Sequence, residues 1–145
     1  MGFFPYLFFS GNCREAMTRY HEIFGGELFV MRMGDAPDTG DLPPEKADLV
    51  IHAAVMIDGG MLMASDDPMT DGPITVSGIQ VSVSPKTAEE ASRVFDKLAD
   101  GGQVTQPLIP TFFSPAFGMC VDRFGTPWMI SAEDPNAPSA NMGKN

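Results

Sequence analysis

Hydrophobic and polar positions divide the chain into two passes of the same order. Residues 3–9 are dense in aromatics, as a buried strand is, and Ser10-Gly11-Asn12 breaks the run. Asn12 followed by Glu15 has the spacing of a capping box, and Ala16, Tyr20, Ile23 and Phe24 fall on one helical face. A helix is therefore predicted, stopped by Gly25-Gly26. Residues 27–33 read as a strand. Residues 34–48 hold five acidic residues and three prolines with almost nothing to bury. They form a surface loop, for which mobility and a covering role are both open. Residues 49–57 and 61–65 are strands joined by a hairpin turn at Asp58-Gly59-Gly60, and residues 66–73 are a polar connector.

The order then restarts. Residues 74–83 read as a strand, and Thr87 with Glu90 repeats the capping box. Ala91, Phe95, Leu98 and Ala99 repeat the helical stripe 75 positions on, before a stop at Gly101-Gly102. Strands at 103–108, 116–122 and 126–131 follow, with an aromatic loop at 109–115. A second echo lies in the turn-plus-strand Asp122 to Ser131. It sets Gly59 on Gly125, Leu62 on Trp128, Met63 on Met129, Ala64 on Ile130 and Ser65 on Ser131. The expected fold is α+β: two βαβββ modules in tandem, about 3–66 and 74–132, forming a curved mixed sheet with a shared trough. The single duplicated domain spans 1–132, and the small, polar residues 133–145 are expected to be a flexible tail.

Composition narrows the partners. The hydrophobic share of 43% is that of an ordinary globular chain, and no apolar run reaches the ~20 residues of a membrane helix. The aromatic N-terminus has no basic residue before it, so it reads as a first strand rather than a signal peptide. A net charge of −10 argues against nucleic acid and anionic membranes. Cys13 and Cys120 offer no disulfide framework or metal spacing, and a cytoplasmic location is expected. Cys13, in a first helical turn, is open to a lowered pKa from the helix dipole or to simple burial; Cys120, in a strand, is expected to be buried.

The duplicated pattern resembles the vicinal oxygen chelate superfamily of glyoxalases, extradiol dioxygenases and bleomycin-binding proteins. More narrowly it is similar to the PhnB-like branch, which also carries a 3-demethylubiquinone methyltransferase-type domain name. The residues that carry the likeness are Pro5-Tyr6-Leu7, Gly11-Asn12-Cys13, Glu15-Ala16, Ile51-His52-Ala53 through Met63, Ser65-Asp66, Thr111-Phe112, Phe117-Gly118, Asp122 to Gly125 and Pro127 to Ile130. The resemblance implies a homodimer. For catalytic members it implies a divalent metal held by His and Glu from the first and last strands of each module. Here the last-strand positions carry Met63 and Met129, and the first-strand positions fall at or beside Pro5-Tyr6 and Ile79-Gln80. Such a donor set does not suit Zn²⁺, Ni²⁺ or Fe²⁺, so no metal and no cofactor is expected. Nor does a glycine-rich loop after a strand offer a place for S-adenosylmethionine.

Strand parity lists what faces the trough. Leu49, Ile51, Ala53, Val55 and Ile57 are assigned to the helix side, which leaves His52, Ala54 and Met56 on the other. Tyr6, Phe8, Met63, Ser65, Gln80, Ser82, Met129 and Ser131 join them, with Phe112 and Phe113 at the rim. The expected ligand pocket is Tyr6, Phe8, His52, Met56, Met63, Gln80, Phe112 and Met129, apolar and methionine-rich with a few polar handles. His52 is the candidate catalytic residue, since an imidazole titrates near ~6.5, or it is a histidine merely satisfied by a neighbouring carbonyl or hydroxyl. Two functions follow. One is a metal-free binder of a small hydrophobic or amphipathic molecule; the other is a lyase- or isomerase-type enzyme using His52 for proton transfer.

Overall fold

The computed structural model describes residues 1–136, so the expected tail from residue 137 on lies outside the described residues. Two compact units divide at Thr75 and Val76. The first contains β1 (Tyr6–Phe9), α1 (Cys13–Phe24), β2 (Glu27–Arg32), β3 (Val50–Ile57) and β4 (Gly60–Asp66). The second contains β5 (Val81–Val83), α2 (Ala88–Ala99), β6 (Gln103–Ile109), β7 (Phe117–Val121) and β8 (Pro127–Ser131). Each is a βαβββ module with one mixed sheet, in the orders β1-β4-β3-β2 and β5-β8-β7-β6. The outer pairs β1–β4 and β5–β8 are parallel, and the remaining pairs are antiparallel. This is the α+β tandem predicted from the repeat.

In the first unit α1 buries Cys13, Ala16, Met17, Tyr20 and Ile23 against one sheet face. The sheet answers with Phe9, Val50, Ala53, Val55, Leu62 and Ala64. Each large side chain buried this way contributes about 1.5–3 kcal/mol. Phe24, assigned to the stripe, is only half-buried, and Met17 takes the deeper place. In the second unit α2 buries Ala91, Val94, Phe95 and Leu98 over Cys120, Trp128 and Ile130. A β-carbon at Gly118 would stand 2.9 Å from the Phe95 ring, so only glycine lets α2 lie this close to β7.

Four expectations need correction. The first strand begins at Tyr6, because Pro5 has no N–H to pair; its carbonyl accepts from Met63 N at 3.1 Å, and Phe3 stands 99% exposed. The strand expected from residue 74 forms only at Val81–Val83, after Gly78 turns the chain at φ +76°. In β3 the register slips between Met31 and Arg32, which pair with His52 and Val50, leaving Ile51 as a bulge. Val50, not Leu49 or Ile51, therefore fills the core; Ile51 and Ile57 are exposed.

The fourth concerns the first capping box. The Asn12 side chain makes no cap hydrogen bond. The carboxylate of Asp66, assigned to a connector but closing β4, accepts instead from Gly11 N at 2.9 Å and Cys13 N at 3.0 Å. Its other oxygen accepts from Val50 N at 2.8 Å, so one buried side chain joins the β1–α1 turn to the start of β3. The second helix is capped as expected on the Thr87 side, while Glu90 reaches one residue further back than a box requires. Thr87 Oγ1 accepts from Glu90 N at 3.0 Å, while the Glu90 carboxylate reaches Lys86 N at 3.1 Å.

The loop at 34–48 is tied at its base. Met33 and Gly34 donate to the Leu49 and Ala47 carbonyls, and Arg32 bridges Asp35 and Asp48 at 2.9 and 2.8 Å. Residue 133, the expected start of the tail, is also anchored, since Glu133 N donates to Pro85 O at 2.8 Å.

Candidate functional site

One face of the first sheet carries α1, and the opposite face carries the side chains of interest. Register places Tyr6 beside Met63, Met63 beside Ala54, and Ala54 beside Phe29, a row that crosses all four strands. Next to it run Phe8 beside Ser65 and His52 beside Met31. Met56 pairs with Met61 on the same face. Tyr6, Phe8, Phe29 and Met56 are exposed, and His52 is half-buried among them.

His52 is the polar centre of this face. Tyr6 Oη lies 3.2 Å from His52 Nδ1. The Tyr6 and His52 rings are 5.8 Å apart, Phe29 and His52 6.2 Å, and Tyr6 and Phe8 5.2 Å. Tyr6, Phe8, His52, Met56 and Met63, selected from sequence, thus lie on one sheet face. Phe29 was missed, although the alternation of β2 shows it: Leu28 and Val30 take the helix side, which leaves Phe29 and Met31 opposite.

The remaining candidates belong to the second unit. Gln80, just ahead of β5, and Met129 on β8 line an open cavity of about 510 Å³ with Val76, Gly78, Ile79 and Pro127. Phe112, expected at a pocket rim, is 97% exposed, its ring packing edge-on against Phe113 at 5.1 Å. Phe113 in turn packs on Phe117 at 5.0 Å, so the pair extends a small aromatic ladder from β7.

Both cysteines are free and buried. The Cys13 thiol is pushed up to about 12, first by burial and then by the neighbouring Asp66 carboxylate, against the opposing pull of the Arg14 charge. Burial, with help from Asp122, pushes Cys120 up to about 11. Asp122 organises the turn that follows β7. One oxygen accepts from Phe124 N and Thr126 N, both at 2.9 Å, and the other from Trp128 Nε1 at 2.8 Å. Among the described residues no group of three His, Cys, Asp or Glu side chains is placed to hold a metal ion. Neither Met63 and Tyr6 in the first unit nor Met129 and Gln80 in the second are side chains that suit a hard divalent cation.

A family model described as 3-demethylubiquinone-9 3-methyltransferase matches residues 1–131. The chain belongs to this family. It is 40% identical to protein PA1353 from Pseudomonas aeruginosa, with a TM-score of 0.81 over 92% of this chain and 98% of that one. Protein YjdN of Escherichia coli strain K12 is 34% identical over 136 residues, 88% of this chain and 92% of YjdN. The fold is also that of FosX, a fosfomycin resistance protein from Listeria monocytogenes. That likeness has a TM-score of 0.62 at 11% identity, covering 93% of this chain and 94% of FosX. No helix among the described residues is long and apolar enough to cross a membrane.

Proposed function

We propose that this family member is a metal-free protein that binds a small hydrophobic or amphipathic molecule on the open face of its first sheet. The observation that carries the reading is the Tyr6–His52 hydrogen bond, set among Phe8, Phe29, Met56 and Met63, with Glu27 at the far end of the face beside Met56. Aromatic and thioether groups supply adaptable apolar contact, and the imidazole supplies direction. Binding is proposed within a cytoplasmic homodimer, checked by light scattering of the purified protein.

Methyl transfer, named in the family's description, is not part of this reading. The turn from β1 into α1 is where backbone N–H groups of such a fold would cradle an anionic group. Here Gly11 N and Cys13 N already donate to Asp66.

A second reading has its own observation. Tyr6 and His52 form a dyad of the kind that moves a proton in isomerase- or lyase-type chemistry. The two are separated by replacing His52 with Ala and following ligand-induced thermal shifts beside turnover. Lost or weakened shifts without turnover in the parent protein support binding, and turnover abolished by His52→Ala supports the enzyme. A stoichiometric transition metal in the purified protein would overturn the metal-free reading.

A further inference from the structure

We propose that Tyr6 locks His52 in one tautomer, so that the face selects an uncharged aromatic ligand bearing a hydrogen-bond-accepting oxygen. This rests on the binding reading above and adds the chemical class.

The phenol O–H of Tyr6 is a donor, and a neutral imidazole has one acceptor nitrogen. Tyr6 Oη lies 3.2 Å from Nδ1, and in the proposed arrangement the phenol donates, which makes Nδ1 the acceptor and leaves the proton on Nε2; the reverse arrangement would put the proton on Nδ1. No described residue bonds Nε2. His52 then presents a solvent-accessible N–H donor, without a protein partner, beside aromatic rings 5.8 and 6.2 Å away on a half-buried side chain. A ligand oxygen meets this donor directly, whereas an amine of the same shape brings donor against donor.

Charge decides between kinds of oxygen. The chain carries a net charge of −10. The cation nearest in sequence on this sheet, Arg32 at the end of β2, is engaged by Asp35 and Asp48 at 2.9 and 2.8 Å. A carboxylate would meet repulsion without a counter-ion, so a ketone or ether oxygen is favoured over an anion. Rings of Tyr6, Phe8 and Phe29 supply stacking surface for the aromatic part.

The test uses four probes of one shape: 1-acetonaphthone, 1-isopropenylnaphthalene, 1-naphthylamine and 1-naphthoate. Titrations are followed by NMR of the labelled protein, and a long-range ¹H–¹⁵N spectrum reads the His52 tautomer without ligand at alkaline pH. The expected tautomer has its proton on Nε2, and the ketone should bind about three- to tenfold tighter than each of the other three probes. In Tyr6→Phe, an exposed and foldable change, the ketone preference over the hydrocarbon should fall to within about twofold. A proton on Nδ1, or equal binding of ketone and hydrocarbon by the parent protein, overturns the tautomer inference and leaves the binding reading intact. Failure of every probe to shift Tyr6, Phe29 and His52 overturns the binding reading and the inference with it.

Discussion

Removing the Asp122 carboxylate should unfold the second unit more readily than any surface change of equal size. The side chain is 6% exposed, and two of its three donors, Thr126 N and Trp128 Nε1, are buried. Depriving a buried donor of its acceptor costs about 1–3 kcal/mol each, and the half-buried Phe124 N adds less. Asp122→Ala should therefore cost about 3–5 kcal/mol, a large part of the 5–15 kcal/mol typical of a domain. Asp122→Asn should fall between, because one amide oxygen remains while the NH₂ faces donors.

Trp128 is the only tryptophan, so its fluorescence reports urea unfolding of the second unit in the Asp122 variants. Far-UV circular dichroism serves where Trp128 is changed. Trp128→Phe removes the indole donor, and the double variant should be less destabilised than the sum of the singles by about 1–3 kcal/mol. A cost below about 1 kcal/mol for Asp122→Ala with unchanged m-value, or strict additivity in the cycle, would refute the reasoning.

Three further outcomes are expected. Asp66→Ala should cost about 3–5 kcal/mol in urea titration through Gly11, Cys13 and Val50, whereas Asn12→Ala, which removes no cap bond, should change stability by less than about 0.5 kcal/mol. Alkaline titration should weaken the fold. An unfolded thiol loses its proton near ~8.5, but the native Cys13 and Cys120 hold theirs up to about 12 and about 11. Stability is thus full below the unfolded value and falls as pH rises through the native ones, by up to about 1.4 kcal/mol per thiol per pH unit; Cys13→Ala should flatten the slope in urea midpoints between pH 9 and 11. Gly25→Ala, with open space and φ +75°, should cost about 1–2 kcal/mol, while Gly26→Ala collides with the Met56 carbonyl oxygen and should yield no soluble folded protein.

What was legible in the sequence follows from which interactions are local. The helices could be read because apolar spacing is a property of one segment, and α1 and α2 begin at Cys13 and Ala88 as the common offset requires. Turn glycines and the β8 alternation of Trp128 and Ile130 are equally local. The face holding Tyr6, Phe8, His52, Met56 and Met63 came from parity alone, and Phe29 was available by the same rule. Parity failed where a distant group resets it. The bulge at Ile51 accompanies the bond from Val50 N to Asp66, which no spacing within residues 49–57 encodes.

The repeat itself explains why such anchors hide. Sliding β4 on β8 sets Ser65 on Ser131 and therefore Asp66 on Ala132, so the long-range carboxylate of one module has no counterpart in the other. In the second unit Ser114 serves that region instead, its buried hydroxyl 2.8 Å from Ala132 O and 3.0 Å from Ala116 O. The second unit's own buried carboxylate, Asp122, is spent close by, on the turn after β7 and on the Trp128 indole six residues along. Apolar periodicity survives duplication because many side chains satisfy it. A polar anchor is one residue with fixed partners, and each module has met that need with a different side chain from a different place in the chain.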